Sequence, residues 1–499
     1  MRGGVRRKLA RRTMAKIKKT RLGTLGVSDA RSPIDLRLAM FLAFLALVLL
    51  TGGGSRHDIA ALVVLRPASA IFLALALIVG PLESAGQRGK VPFLLLGALA
   101  AVIAAQLIPL PPSVWQQLPG RGGVAVTDTL VGLPELWRPL SLTPGRTLNA
   151  LLSLLIPAAG MALYSNLALA HRRAVLGLLI AGGALCVVWG LAQYIGGADS
   201  ALYTYRVHTE RKPIGLFANR NHTAMFLSLT IFFAVWYLAR LSDIRGRRLL
   251  SMIGLASYCV VVILMIFILG SRAGLILCVL AVIVGAGVLV TAPWLRRWLP
   301  KAPNRPRSRW ALPGAKALVP FAVLAIFLVL GGLAIITNRG EAFDRLNDGD
   351  AATPFDRSEV LPYLVRMAGD QWAWGSGFGS FDALFRRYES LSMLSTTYLN
   401  QAHNDWLQIV IEGGIPAVMV LGGFIAWLGW RATGAVRARV KGALGPQLAL
   451  FASLGAIGFA SLVDYPLRVP LLMLVTALIV CLLSEPDDFH AAATPRRRD

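Results

Sequence analysis

Apolar residues in this chain gather in long blocks separated by short polar links. A block of about 18 or more apolar residues suffices to cross a hydrocarbon core of roughly 30 Å. The pattern predicts twelve spans, over residues 37–51, 60–80, 91–110, 147–168, 174–195, 222–239, 249–270, 273–292, 317–337, 406–430, 446–463 and 469–484. Backbone polar groups find no water partner in lipid, so each span is expected to be a helix. The fold class that follows is an all-α polytopic membrane protein with a large, partly helical loop on its outer side. Its regions are a basic arm (1–36), an N-terminal membrane region of about five helices (37–204) with an outer loop at 111–146, a second membrane domain (205–470) with an outer loop at 338–405, and a last helix with its tail (471–499).

Composition agrees, with 56% hydrophobic residues, 15% charged residues and a mean hydropathy of +0.62, values foreign to a soluble globular protein. The net charge of +26 raises the question of a nucleic-acid partner. Threading the spans with the N-terminus inside removes that question, because the excess Lys and Arg then fall on the inward segments and tails while the outward segments are balanced. This is the positive-inside asymmetry, and it puts both termini in the cytoplasm without invoking nucleic acid. The arm M-R-G-G-V-R-R-K-L-A-R-R is expected to lie on anionic membrane lipids. Arg11-Arg12-Thr13 looks like a twin-arginine signal, but the apolar run begins too far downstream; Met14 is an alternative translation start, and the first span reads as a retained signal anchor. Cys186, Cys259, Cys278 and Cys481 all fall inside apolar spans, which gives neither a disulfide framework nor a zinc spacing.

The alternation of spans puts the residues with chemical potential on the outer face. In A-H-N-D-W-L-Q-I-V-I-E-G-G-I (402–415), Asn404, Gln408 and Glu412 form one polar stripe at i, i+4, i+8, with His403 just before it at the water boundary. Gly413, Gly414 and Pro416 are placed to loosen or kink the helix. Such a stripe also suits helix–helix hydrogen bonding in a membrane. An imidazole at the surface, however, is suited to take a proton from a sugar hydroxyl. Three outward arginines accompany it: Arg220 in G-L-F-A-N-R-N-H, Arg272 in G-S-R-A-G, and Arg357 in P-F-D-R-S-E-V. The planar guanidinium fork fits phosphate, although headgroup snorkelling also accounts for any one of them. Asp348 and Asp350 resemble a metal-holding acidic pair but sit in an acidic, turn-forming loop. Gly375, Gly377 and Gly379 lack the strand of a dinucleotide-binding turn and are expected to shape a flexible loop beside a substrate headgroup. Asp464 and Arg468, on either side of Tyr465-Pro466, are expected to pair with each other.

Taken together, G-L-F-A-N-R-N-H, G-S-R-A-G, W-A-W-G-S-G-F-G-S-F and A-H-N-D-W-L-Q-I-V-I-E-G-G-I-P resemble the O-antigen ligase and polymerase superfamily of bacterial envelope glycosyltransferases, over roughly 205–470. The resemblance implies a metal-independent, cofactor-free inverting enzyme of the bacterial inner membrane with a periplasmic active site. Its donor would be a glycan on undecaprenyl diphosphate, and its acceptor a hydroxyl of lipid A-core, another lipid-linked repeat unit or a different glycan. By the same resemblance His403 would be the catalytic base and Arg272, Arg357 and Arg220 the diphosphate ligands, supported by Asn219, Asn221, Asn404 and Glu412. A polytopic transporter of lipid-linked or free saccharide is the competing class. Transporters concentrate ionisable groups at the membrane midplane, where this chain offers only Arg66 and Glu412.

Overall fold

A computed structural model describes residues 35–80, 89–240, 245–291, 357–394, 398–438 and 442–491. The predicted span 317–337, the acidic pair Asp348 and Asp350, and the arm with Arg11, Arg12 and Met14 lie outside these residues. The helices, in chain order, are α1 (Leu36–Thr51), α2 (Ala61–Val79), α3 (Lys90–Ala105), α4 (Pro112–Trp115), α5 (Gly122–Leu130), α6 (Pro144–Ser153), α7 (Leu155–Asn166), α8 (Leu169–Gly196) and α9 (Arg220–Arg240). They continue with α10 (Arg245–Leu269), α11 (Arg272–Thr291), α12 (Arg357–Gln371), α13 (Phe381–Phe385), α14 (Asp405–Arg437), α15 (Leu444–Ala460), α16 (Pro470–Ser484) and α17 (Asp487–His490). Seven of the helical segments are long and apolar enough to cross a membrane, α6 and α7 acting as one, and α1, α3, α15 and α16 are shorter apolar helices. Every predicted span within the described residues therefore coincides with a helix. The chain is an all-α polytopic membrane protein whose strand content, among the described residues, is one two-residue pair, Pro109–Leu110 against Arg138–Pro139.

Helix α9 is the hub of the bundle: it is almost wholly buried and packs against α8, α10, α11 and α15. Its contact with α11 is close, because a side chain at Gly274 would collide with the Ala224 methyl, and the Ser228 hydroxyl donates across to the Gly274 carbonyl at 3.3 Å. Small residues at such a crossing let two backbones approach in lipid, where burial alone gives helices little reason to associate.

The two ends of the bundle differ as the alternation of spans predicts. At the end where the chain is expected to face the cytoplasm, Arg172 meets Glu485 at 3.0 Å, Arg431 donates to the carbonyls of Leu483 and Glu485, and Arg240 lies 4.1 Å over the Trp236 ring. At the other end the connecting segments fold onto one another. Asp128 and Arg138 pair within the 111–146 segment, whose Ser141 amide donates to Gln106 and whose Leu142 amide donates to Ser376.

Helix α14 is continuous in outline but broken in fact. Gly414 has φ 58° and ψ −160°, which is not helical, so the carbonyls of Ile411 and Glu412 lose their partners along the helix. The glycine-rich loop fills the gap: the amides of Ser376 and Gly377 donate to Ile411 and Glu412, and the amide of Ile415 donates back to Trp372. Gly375, Gly377 and Gly379 all have positive φ, and a side chain at Gly375 would strike the Glu412 carbonyl. The kink anticipated from Gly413, Gly414 and Pro416 is present. The flexible loop anticipated from the three glycines is instead pinned to a helix break, because its backbone supplies the hydrogen bonds that the break leaves open. Gly414→Ala is expected to lower the melting temperature of the purified protein by an amount corresponding to roughly 1–3 kcal/mol or more, since the new methyl would sit 2.6 Å from backbone atoms of Trp374 and Gly375. Gly422→Ala, in open space on the same helix, is the control expected to show no loss.

Candidate functional site

The turn before α14 builds the first part of the site. Asn404 caps the helix by accepting from the Leu407 amide at 3.0 Å, and Gln408 reaches back to accept from the Ala402 amide at 2.9 Å. These two bonds hold His403 in a left-handed conformation, φ 50°, that a non-glycine residue seldom adopts. Its side chain keeps 14% of its surface exposed.

The short link between α15 and α16 supplies the counterpart. The Asp464 carboxylate lies 3.5 Å from His403 Nδ1 and 3.8 Å from His222 Nε2, electrostatic contacts short of hydrogen bonds. Both imidazoles also stand edge-on to the Tyr465 ring, with centroids 4.8 and 5.3 Å away. Burial alone would raise the Asp464 carboxyl, but the facing His222 and His403 and the Tyr465 amide outweigh it and hold the group down at about 2. The Tyr465 hydroxyl is surrounded by Ser55, Asn400 and Asn219, and burial first, then Asp464, pushes it up to about 12.

The polar stripe of α14 is taken up by hydrogen bonds to the surrounding chain. Glu412, with no exposed surface, accepts from Arg468 at 2.9 Å, from Gln408 at 3.1 Å and from the Phe381 amide at 3.2 Å. Arg468 also faces Asp405 at 3.5 Å. Burial opposes the Arg468 charge, and the two carboxylates more than offset that, so its guanidinium is held charged. Asn404 caps a helix, Glu412 anchors an arginine, and Asp464 is the carboxylate facing the His403 ring. Asp464 and Arg468 do not pair with each other, because the 3-10 turn Pro466–Arg468 sends their side chains to different partners.

Helix geometry brings two of the predicted arginines to the same place. Arg220 and Arg272 are the first residues of α9 and α11, which run parallel and touch at Ala224 and Gly274, within the first turn or so. Two helix N-termini at one point carry partial positive charge in addition to the two guanidinium groups, a setting suited to an anion. Ser271 caps α11 by accepting from the Gly274 amide at 3.1 Å, and Asn219 holds the Asn221 amide at 2.8 Å ahead of α9. Arg357 begins α12, which packs on α14. His222 and Gln106 went unrecognised in the sequence, and Asp464 was singled out only as a partner for Arg468. His222 sits in the same N-R-N-H run as Arg220, a signal present but overshadowed by the arginine.

A bundle of membrane-length helices, with a His–Asp–His cluster and two arginine-bearing N-termini at one end, defines a polytopic membrane protein with ionisable groups gathered at that end. Residues 257–422 match the family model described as O-antigen ligase, which bears out the resemblance over the segment carrying Arg272, Arg357, His403 and Glu412. No curated protein matches the chain.

The depressed Asp464 carboxyl has a measurable consequence. A group whose folded value lies below its ordinary 3.8 contributes stability that is full above that value and is lost as pH falls through the folded value, here about 2. The melting temperature of Asp464→Asn is expected to fall below that of the unaltered protein at pH 5–8, with the gap closing as the solution is acidified toward pH 2. A gap that stays constant over that range would contradict the arrangement.

Proposed function

We propose that this protein is an integral membrane glycosyltransferase that moves a glycan from an undecaprenyl-diphosphate carrier to an acceptor hydroxyl on the periplasmic face of a bacterial inner membrane. The observation that carries the reading is His403, fixed in a strained turn against Asp464 at the end of the bundle where Arg220 and Arg272 open adjacent helices.

In this reading the diphosphate lies at the N-termini of α9 and α11, held by Arg272 and Arg220, and Arg357 is assigned to it as the third arginine. The Asp464 carboxylate faces Nδ1 of His403 and favours the proton on that nitrogen, leaving Nε2 as the base. Nε2 removes the acceptor hydroxyl proton as the oxygen attacks the sugar C1 from the side opposite the diphosphate. The C1–O bond breaks, its electron pair leaves with the diphosphate, and the arginines and helix N-termini stabilise the charge that develops there. Attack from the opposite side inverts C1. The positive field comes from the chain's own residues, so metal independence is part of the proposal.

His403→Ala is expected to reduce glycan transfer by roughly 10²–10⁴-fold while leaving membrane insertion and donor binding unchanged, as measured with purified enzyme and a lipid-linked donor. Undiminished transfer in that variant would remove His403 from the mechanism. Deletion in the host separates the possible acceptors: loss of the lipopolysaccharide ladder identifies a ligase or an O-antigen polymerase, and loss of exopolysaccharide with intact lipopolysaccharide identifies a different polymerase.

A further inference from the structure

Among the described residues Arg66 pairs with no acid, the carboxylates that share its cavity, Asp382, Asp405 and Glu412, being taken by Arg146 and Arg468. Arg66 lies five residues into α2, about 8 Å below the outer end of that helix at 1.5 Å per residue. Its Nη1 donates to Asn149 Oδ1 at 2.8 Å and its Nη2 to the Ser153 hydroxyl at 3.4 Å, while its Nε is buried without a partner. Among the described residues no carboxylate pairs with it, whereas the arginines around it all have one: Arg56 with Asp58, Arg146 with Asp382, Arg468 with Asp405 and Glu412. A lone guanidinium at this depth in a membrane calls for an anion.

The space beside it has room for one. Arg66, Asn149 and Ser153 line a cavity of about 390 Å³ that is polar at its outer end and apolar below. Its apolar wall runs between α3, α7, α14 and α16 as far as Val480, ten residues below Pro470, or about 15 Å along α16. Its outer end includes Ser55 and Asn400, which surround the Tyr465 hydroxyl, and the Tyr465 ring abuts His403. Helices α9 and α11, which carry Arg220 and Arg272, contribute nothing to its lining. The cavity is therefore separate from the two helix ends that carry Arg220 and Arg272.

We propose that this cavity seats the acceptor as a single-chain lipid phosphate, its phosphate held by Arg66 with the Asn149 amide and the Ser153 hydroxyl, and its chain lying along the apolar wall. An acceptor seated in this way is itself a lipid-linked glycan, and the product is an elongated one. The inference rests on the transferase reading, in which a second substrate must reach His403.

The probe is farnesyl diphosphate, a single-chain lipid diphosphate without sugar, titrated onto the full-length protein in detergent and counted by native mass spectrometry. The unaltered protein is expected to bind two molecules, Arg66→Gln one, Arg272→Gln one, and His403→Ala two. Arg66→Lys, which keeps the charge and loses the fork, is expected to retain the second molecule about tenfold more weakly, and matching melting temperatures establish that the variants are folded. Phosphatidylglycerol at the same concentration is expected not to displace it. A single bound molecule lost in both arginine variants would make the cavity the donor site, unchanged binding in Arg66→Gln would leave Arg66 a helix tether, and displacement by phosphatidylglycerol would make it a bulk-lipid contact; each overturns the proposal. Persistent transfer by His403→Ala with two molecules bound would sink the mechanism and leave this site standing.

Discussion

A fully buried carboxylate must be satisfied on every side, and Glu412 is the point at which this chain meets that requirement. Its side chain gathers Arg468, Gln408 and the Phe381 amide, and its backbone carbonyl takes the Gln106 side chain at 2.8 Å together with the Gly377 amide. Four separate parts of the chain converge there: the end of α3, the glycine-rich loop, α14, and the link between α15 and α16. Such a group is stable only when all partners are present, so removing one leaves an uncompensated charge in a low-dielectric interior. This makes the outer end of the bundle a rigid platform.

The candidate site is built outward from that platform. Arg468 is drawn to Glu412 and Asp405, and the same short link then leaves Asp464 turned toward the two histidines. Gln408 accepts from Ala402 on one side and donates to Glu412 on the other, so the turn that strains His403 is tied to the same anchor. The arginine-bearing N-termini reach the site by a separate route, the close crossing of α9 and α11 at Gly274. One side of the site is thus fixed by polar networks and the other by steric contact between helices. Strain at a functional residue persists only where the surroundings over-determine it, which the paired tethers on Asn404 and Gln408 accomplish.

Much of this was legible in the chain because hydrophobic length is a local quantity. The spans could be placed to within a few residues, since any run of that length has one way to satisfy its backbone in lipid. The kink at Gly413–Gly414 was legible for the same reason: two glycines and a proline weaken a helix wherever they occur. His403, Arg220 and Arg272 stood out because charged and imidazole groups beside apolar runs are rare. Whether Asp464 faces Arg468 or a histidine could not be read, because the two residues are only four apart and the local turn permits either.

By itself, then, the sequence determined the class of structure and the approximate extent of its helices. Only the tertiary structure decided which of its polar residues meet. It drew Glu412 to Arg468, brought His222 and Asp464 together from segments far apart in the chain, and left Arg66 on a cavity whose carboxylates are paired with other arginines. The physical reason is that pairing is a competition among long-range partners for buried charges. Its outcome depends on how the helices pack, which local patterns of apolar and polar residues do not encode.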